Sequence, residues 1–130
     1  MNIVKSKFFW ITLSVAALIA AFITVIPKAI DMDLKKIGTG QPSVVFIYDP
    51  NLGVSNQQST AMNKARESMN EQAIFLIAEI GDPQSAGFRN HYQAQPAELL
   101  FFSSQGEFID RQFAPLSAAE LTTKLLQTSP

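Results

Sequence analysis

The side chains that carry most protein chemistry are scarce in these 130 residues. Cysteine is absent and His91 is the only histidine. Without thiols there are no disulfides, thiolate nucleophiles, thiolate zinc sites or cysteine-ligated iron–sulfur clusters. With one histidine there is no two-histidine metal site within the chain. Hydroxyls and carboxylates remain. Ser55, His91 and Asp49 could be written as a hydrolytic triad, but nothing like a nucleophile elbow surrounds Ser55. Ser55 reads instead as an N-cap or first-turn hydroxyl of a helix. His91, inside Arg-Asn-His-Tyr, reads as an exposed helix-end residue. Asp31, Asp33, Asp49 and Asp82 lack any calcium-loop spacing and read as solvated carboxylates. Gly38-Thr-Gly40 is not followed by the third glycine of a dinucleotide loop and follows no strand, so it reads as linker. Glu98 falls early in a strand expected to be central, where a charge needs a partner; it reads as a strand-end residue reaching solvent. No catalytic residue, metal ligand or cofactor-binding residue emerges, and no cofactor is expected.

The elements that position these residues divide at an apolar segment. Phe8–Ile26 holds nineteen residues without a charge, preceded by Lys5 and Lys7 and closed by Pro27. As a helix it would span about 28 Å, close to the roughly 30 Å hydrocarbon thickness of a bilayer. Phe8, Phe9 and Trp10 stand at the near end, where aromatic rings favour the interface. An uncleaved transmembrane signal anchor over 8–27 is expected, after a short tail at 1–7. A cleaved signal peptide is the alternative, although Pro27 stands where cleavage wants a small residue. Lysines flank both ends, so they do not fix orientation. A short N-terminal tail normally stays inside, which places the rest outside the cytoplasm: a single-pass protein of the inner (cytoplasmic) membrane with a periplasmic or extracytoplasmic C-terminal domain. Residues 28–130 carry eight basic and eleven acidic side chains, so no nucleic-acid partner is expected.

Residues 28–42 read as a polar linker with one helical turn around Met32–Ile37, and 43–130 as one domain. Ser43–Tyr48 and Ala73–Ile80 are continuous apolar runs expected as strands covered on both faces. Between them Ser55–Glu71 places Met62, Ala65 and Met69 at helical spacing. Pro83 opens a short helix to about Tyr92. Ala97–Phe102 and Glu107–Phe113 read as strands joined by a tight turn at Ser103–Gly106. Ser117 and Glu120 have capping-box spacing ahead of Leu121, Leu125 and Leu126. The order strand, helix, strand, helix, strand, strand, helix gives a parallel start and an antiparallel finish. It calls for a three-layer α/β/α sandwich around a four-stranded mixed sheet.

This order resembles the thioredoxin fold, and the residues support the likeness over 43–127. Val44-Val-Phe-Ile-Tyr48 is similar to the strand that leads into the thioredoxin active site. Asn51-Leu-Gly-Val-Ser55 stands where thioredoxins carry Trp-Cys-Gly-Pro-Cys. Gly53 keeps its place, Leu52 replaces the nucleophilic cysteine, Val54 the proline and Ser55 the resolving cysteine. Gln95-Pro96 resembles the cis-proline dipeptide facing that site, which implies a cis Gln95–Pro96 bond. Leu99-Leu-Phe-Phe102 with Gly106-Glu107 resembles the following hairpin, and Leu116-Ser117 with Leu121 and Leu125 the last helix.

The family's chemistry does not follow. Disulfide exchange needs a thiolate to attack and a second thiol to resolve. Leu52 has no nucleophilic atom and Ser55 has no redox chemistry, so thiol–disulfide oxidoreductase activity is excluded for this chain alone. Backbone pairing beside the cis-proline, by which the family holds extended peptides, needs no cysteine. The expectation is a membrane-tethered, redox-inactive module, not an enzyme. It would bind a partner protein or extended peptide in the cell envelope through Asn51, Leu52, Gly53, Val54, Ser55, Gln95 and Pro96. The alternative is a non-thiol enzyme, or a subunit of a redox complex whose thiols come from another chain.

Overall fold

The computed structural model describes residues 2–25 and 29–128, with side chains described over 6–20 and 29–128. The elements are α1 (Asn2–Val25), a 3-10 turn (Leu34–Lys36), β1 (Ser43–Tyr48), α2 (Gly53–Met69) and β2 (Ile74–Glu79). They continue with α3 (Pro83–Tyr92), β3 (Glu98–Phe102), β4 (Phe108–Phe113) and α4 (Ala118–Gln127). The four strands form one mixed sheet in the order β2-β1-β3-β4. β1 and β2 are parallel neighbours, Ser43 opposite Ile74 and Tyr48 opposite Glu79. β3 is antiparallel to β1, and β4 to β3.

The sandwich follows from the period of the strands. Successive side chains point to opposite faces, so the apolar run of β1 feeds two cores. Val44 and Phe46 join Leu99, Phe101, the α2 residues Met62, Ala65 and Met69, and the α4 residues Leu121 and Leu125. Val45 and Ile47 join Leu76, Ala78, Leu100 and Phe102, covered by Phe88 and Tyr92 of α3 and by Leu34 and Ile37. Local signals set the helix ends. The Asp82 carboxylate accepts the Gln84 N–H at 3.0 Å and Pro83 opens α3. Ser117 and Glu120 form the reciprocal capping box of α4. Asn70, in left-handed conformation at φ 48°, closes α2.

Residues 29–40, within the segment expected as a linker over 28–42, lie on the domain. Ile30 packs against the first core. Asp31 bridges in parallel to Leu76, and its carbonyl accepts the Ile77 N–H at 2.9 Å. The Gly40 N–H donates to the Ser104 carbonyl at 3.1 Å. At Gly38, φ is +83° and a Cβ would stand 3.1 Å from the Gln105 carbonyl oxygen and 3.2 Å from Gly106 Cα. Only glycine fits that close approach of two backbones. Residues 29–40 therefore form a strap, bound to the β2 edge at one place and to the β3–β4 turn at another.

α1 begins at Asn2, ahead of the expected Phe8, so the helix includes part of the 1–7 tail. The described side chains of α1 cover 6–20, about 22 Å of helix against roughly 30 Å of hydrocarbon. Among the described residues no helix is long and apolar enough to cross a membrane, so the transmembrane expectation for 8–27 is not met over them. Ile26 and Pro27, where the span is expected to close, and Lys28, the first residue of the expected linker, lie outside the described residues.

Candidate functional site

The site is built where β1 gives way to α2. The Asp49 carboxylate accepts the Asn51 N–H at 2.9 Å, and the Leu52 N–H donates to the Asp49 carbonyl at 3.0 Å. These bonds close an Asx-supported turn that carries Asn51 at the surface. Ser55 is fully buried, and its hydroxyl accepts the Asp49 N–H at 3.1 Å. It sits at the third helical position and clasps the loop to the helix. Val54 is half-buried against the first core and Gly53 is exposed.

Leu52 is the N-cap of α2, at φ −104° and ψ 125°, with no side-chain capping bond. That position favours Ser, Thr, Asp or Asn, whose oxygen accepts an N–H of the open first turn. Here it holds a leucine that is 38% exposed.

A second loop arrives at the same end of the sheet. The Ala97 N–H donates to the Ile47 carbonyl at 2.9 Å, and the Ala114 N–H to the Ala97 carbonyl at 2.8 Å. Gln95 and Pro96 are both exposed there. The expected cis bond is not between them: the cis peptide is Ala114–Pro115. The reason is the turn type. The Glu98 N–H donates to the Gln95 carbonyl at 3.2 Å, with Pro96 second in the turn and Ala97 third at φ 69°. This is type II geometry, in which proline is trans at the second position; a cis-proline occupies the third position of a different turn.

Glu98 also departs from expectation. It is 3% exposed and does not reach solvent. One carboxylate oxygen accepts the Gln95 N–H at 3.0 Å, and the other lies 3.5 Å from Arg111 Nη1. A carboxylate in a central strand needs such partners, and β4 supplies the cation. Through Gln95, Glu98 holds the second loop in place.

Gln58 was not singled out from sequence. It is fully buried on the α2 stripe with Ser55, Met62, Ala65 and Met69. Its amide nitrogen donates to the Leu116 carbonyl at 2.9 Å, and its amide oxygen accepts the Leu116 N–H at 2.6 Å. The pair fixes a third loop, Ala114–Ser117, against α2. The readable signal was a glutamine at core spacing on a helix.

Ser55, Asp49 and His91 do not assemble as a triad. Ser55 lies under the Asp49 amide, whereas the exposed His91 ring stands edge-on to Tyr92 at 4.7 Å, in the last turn of α3. Among the described residues no group of three or more His, Cys, Asp or Glu could hold a metal ion. The clearly perturbed carboxyls are elsewhere. Hydrogen bonding to Lys36 holds Asp31 below its ordinary value, and hydrogen bonding to Lys124 does the same for Asp110. The sheet end thus offers an exposed apolar side chain at Leu52, exposed loop residues at Asn51, Gln95 and Pro96, and the buried Ser55 hydroxyl.

No family model and no curated protein matches the chain. Solved structures do resemble it. An uncharacterised thioredoxin-like protein from Clostridium perfringens superposes with a TM-score of 0.68 at 10% identity, over 76% of this chain and 79% of that one. Chloroplastic thioredoxin z gives 0.63 at 11% identity, over 78% and 96%. Trxlp from Edwardsiella tarda gives 0.57 at 17% identity, over 70% and 87%. At these identities the likeness establishes the fold and nothing further. The chain has a thioredoxin-like α/β fold with a four-stranded mixed sheet, and it has no cysteine.

Proposed function

We propose that the chain is a membrane-tethered, redox-inactive thioredoxin-like module that binds a partner protein or an extended peptide in the cell envelope. The binding surface is the sheet end carrying Asn51–Ser55 and Gln95–Pro96. The observation that carries the reading is Leu52. A helix N-cap is occupied by an exposed leucine where a polar residue would stabilise the domain, and local rules are broken in this way chiefly at functional positions. The leucine offers apolar surface on a loop held by Ser55, at the same end of the sheet as the exposed residues Gln95 and Pro96. The cis Gln95–Pro96 bond that was the main ground for a peptide groove is absent, and the binding surface is proposed on the shared sheet end and Leu52 alone.

The tether reading rests on α1. Phe8, Phe9, Trp10, Ile11, Leu13, Val15, Leu18 and Ile19 are all at least 49% exposed. They lie on every side of the helix, a pattern that water does not tolerate on an isolated helix. Two hydroxyls inside its apolar run are satisfied internally, Thr12 by the Phe8 and Phe9 carbonyls and Ser14 by the Trp10 carbonyl, as an apolar medium requires. The domain lies outside the cytoplasm in this reading, and a C-terminal topology reporter tests that placement.

The test of binding is photocrosslinking in native membranes, with a crosslinking residue at Leu52, Gln95 or, as control, Lys64 on the exposed face of α2. One discrete adduct shared by positions 52 and 95 and missing from 64 is expected. Adducts equal at all three positions, or none at 52 and 95, would contradict the reading.

A further inference from the structure

We infer that the strap fixes the orientation of the domain on the bilayer. The end carrying Ala29, Gln72 and the Ser103–Gly106 turn lies against the lipid headgroups, and the Asn51–Ser55 end points away from them. The inference rests on the membrane-anchor reading given above. Three residues, 26–28, separate the end of α1 at Val25 from Ala29. Four Cα–Cα steps of 3.8 Å give a reach of at most about 15 Å. Ala29 is already held, its carbonyl accepting from Arg66 Nη1 at 3.2 Å. Two residues on, Asp31 is bridged to Leu76, which sets Ala29 near the level of Ile74 at the start of β2.

The same end receives the other fastening. β3 finishes opposite Ser43, so the Ser103–Gly106 turn lies at the entry end of β1, where Gly38 and Gly40 are bound. Leu52 follows the opposite end of β1. Six strand residues at roughly 3.3 Å place it about 20 Å further along the sheet. If the domain turned over to put Leu52 on the bilayer, Ala29 would be lifted by about that 20 Å, which a 15 Å reach cannot span. A free tether of residues 28–42 would have allowed it.

The restraint is the length of the connection and not an electrostatic attraction. The strap and the entry end carry Lys35, Lys36 and Arg66 alongside Asp31, Asp33, Glu67, Glu71 and Glu107, with no excess of positive charge for anionic lipid to attract. The occupant of this face is a headgroup layer of either charge, and a partner reaches the Leu52 end from the aqueous side.

A chain without cysteine permits a clean test. Single variants Gln72→Cys, Gln105→Cys, Leu52→Cys and Gln95→Cys of the full chain, each carrying a fluorescent donor, are reconstituted in phosphatidylcholine vesicles with a headgroup-labelled acceptor. Energy transfer at least twofold higher from 72 and 105 than from 52 and 95 is expected, unchanged by high salt. Equal or reversed transfer in vesicle-bound protein would overturn the orientation and leave the anchor standing. Protein that fails to float with the vesicles would overturn the anchor reading and this inference together.

Discussion

Replacing Leu52 by aspartate separates a binding leucine from a packing one. Full burial of a leucine is worth about 1.5–3 kcal/mol. With 38% of Leu52 still exposed, a partner can gain only about 0.6–1.1 kcal/mol by covering the remainder, a three- to six-fold change in Kd. A carboxylate set against an apolar partner surface adds its own desolvation penalty, so the loss on Leu52→Asp should exceed that range. Stability moves differently. The substitution forfeits about 0.9–1.9 kcal/mol of existing burial, while an aspartate at an open N-cap returns about 0.5–2 kcal/mol. The two nearly cancel, and the melting temperature should stay within a few degrees. The assay pairs thermal unfolding with the crosslinking yield from a reporter at Gln95. A fall of more than about 8 °C, corresponding to over 1 kcal/mol in a domain of this size, with an unchanged adduct yield would show that Leu52 serves only the core.

Gln58→Leu keeps the volume but strands the Leu116 N–H and carbonyl, and should lower stability by about 2 kcal/mol in urea denaturation. Ser43 Oγ is buried without a partner among the described residues, so Ser43→Ala should be neutral or stabilising by up to about 1 kcal/mol; a loss of that size would reveal a partner for the hydroxyl. Lys124 holds the Asp110 carboxyl below its ordinary 3.8, so its contribution is fully present above that value and fades as pH falls through the lowered one. Because Asp110 is 40% exposed, the effect should be small and weakened by salt; wild type and Asp110→Asn should differ at neutral pH and converge in acid.

What the sequence disclosed was what short-range chemistry encodes. An uninterrupted apolar run specifies a two-faced strand, and β1 is found at the expected Ser43–Tyr48. The capping box at Ser117 and Glu120 and the proline at the start of α3 were equally local and equally legible. The failures involve partners distant in sequence or turn geometry set by context. Gln58 and Leu116 are 58 positions apart, and nothing near either announces the pair. The approach of Gly38 to Gly106 joins two segments that each read as ordinary loop, so the sequence alone shows a linker where the structure has a strap. Glu98 was expected in solvent because its cation, Arg111, comes from the next strand. The cis-proline was carried over from the family by position, and the turn at Gln95–Glu98 takes a different type.

Partner recognition at the Leu52 end is tested most directly by amide hydrogen exchange on the full chain, comparing protein isolated with its crosslink-identified partner and protein stripped of it. Slower exchange confined to Asn51–Ser55 and Gln95–Ala97 in the complex is expected, with Asn70–Ala73 and the Ser103–Gly106 turn unchanged. Protection at that opposite end, or none at Asn51–Ser55, would contradict it.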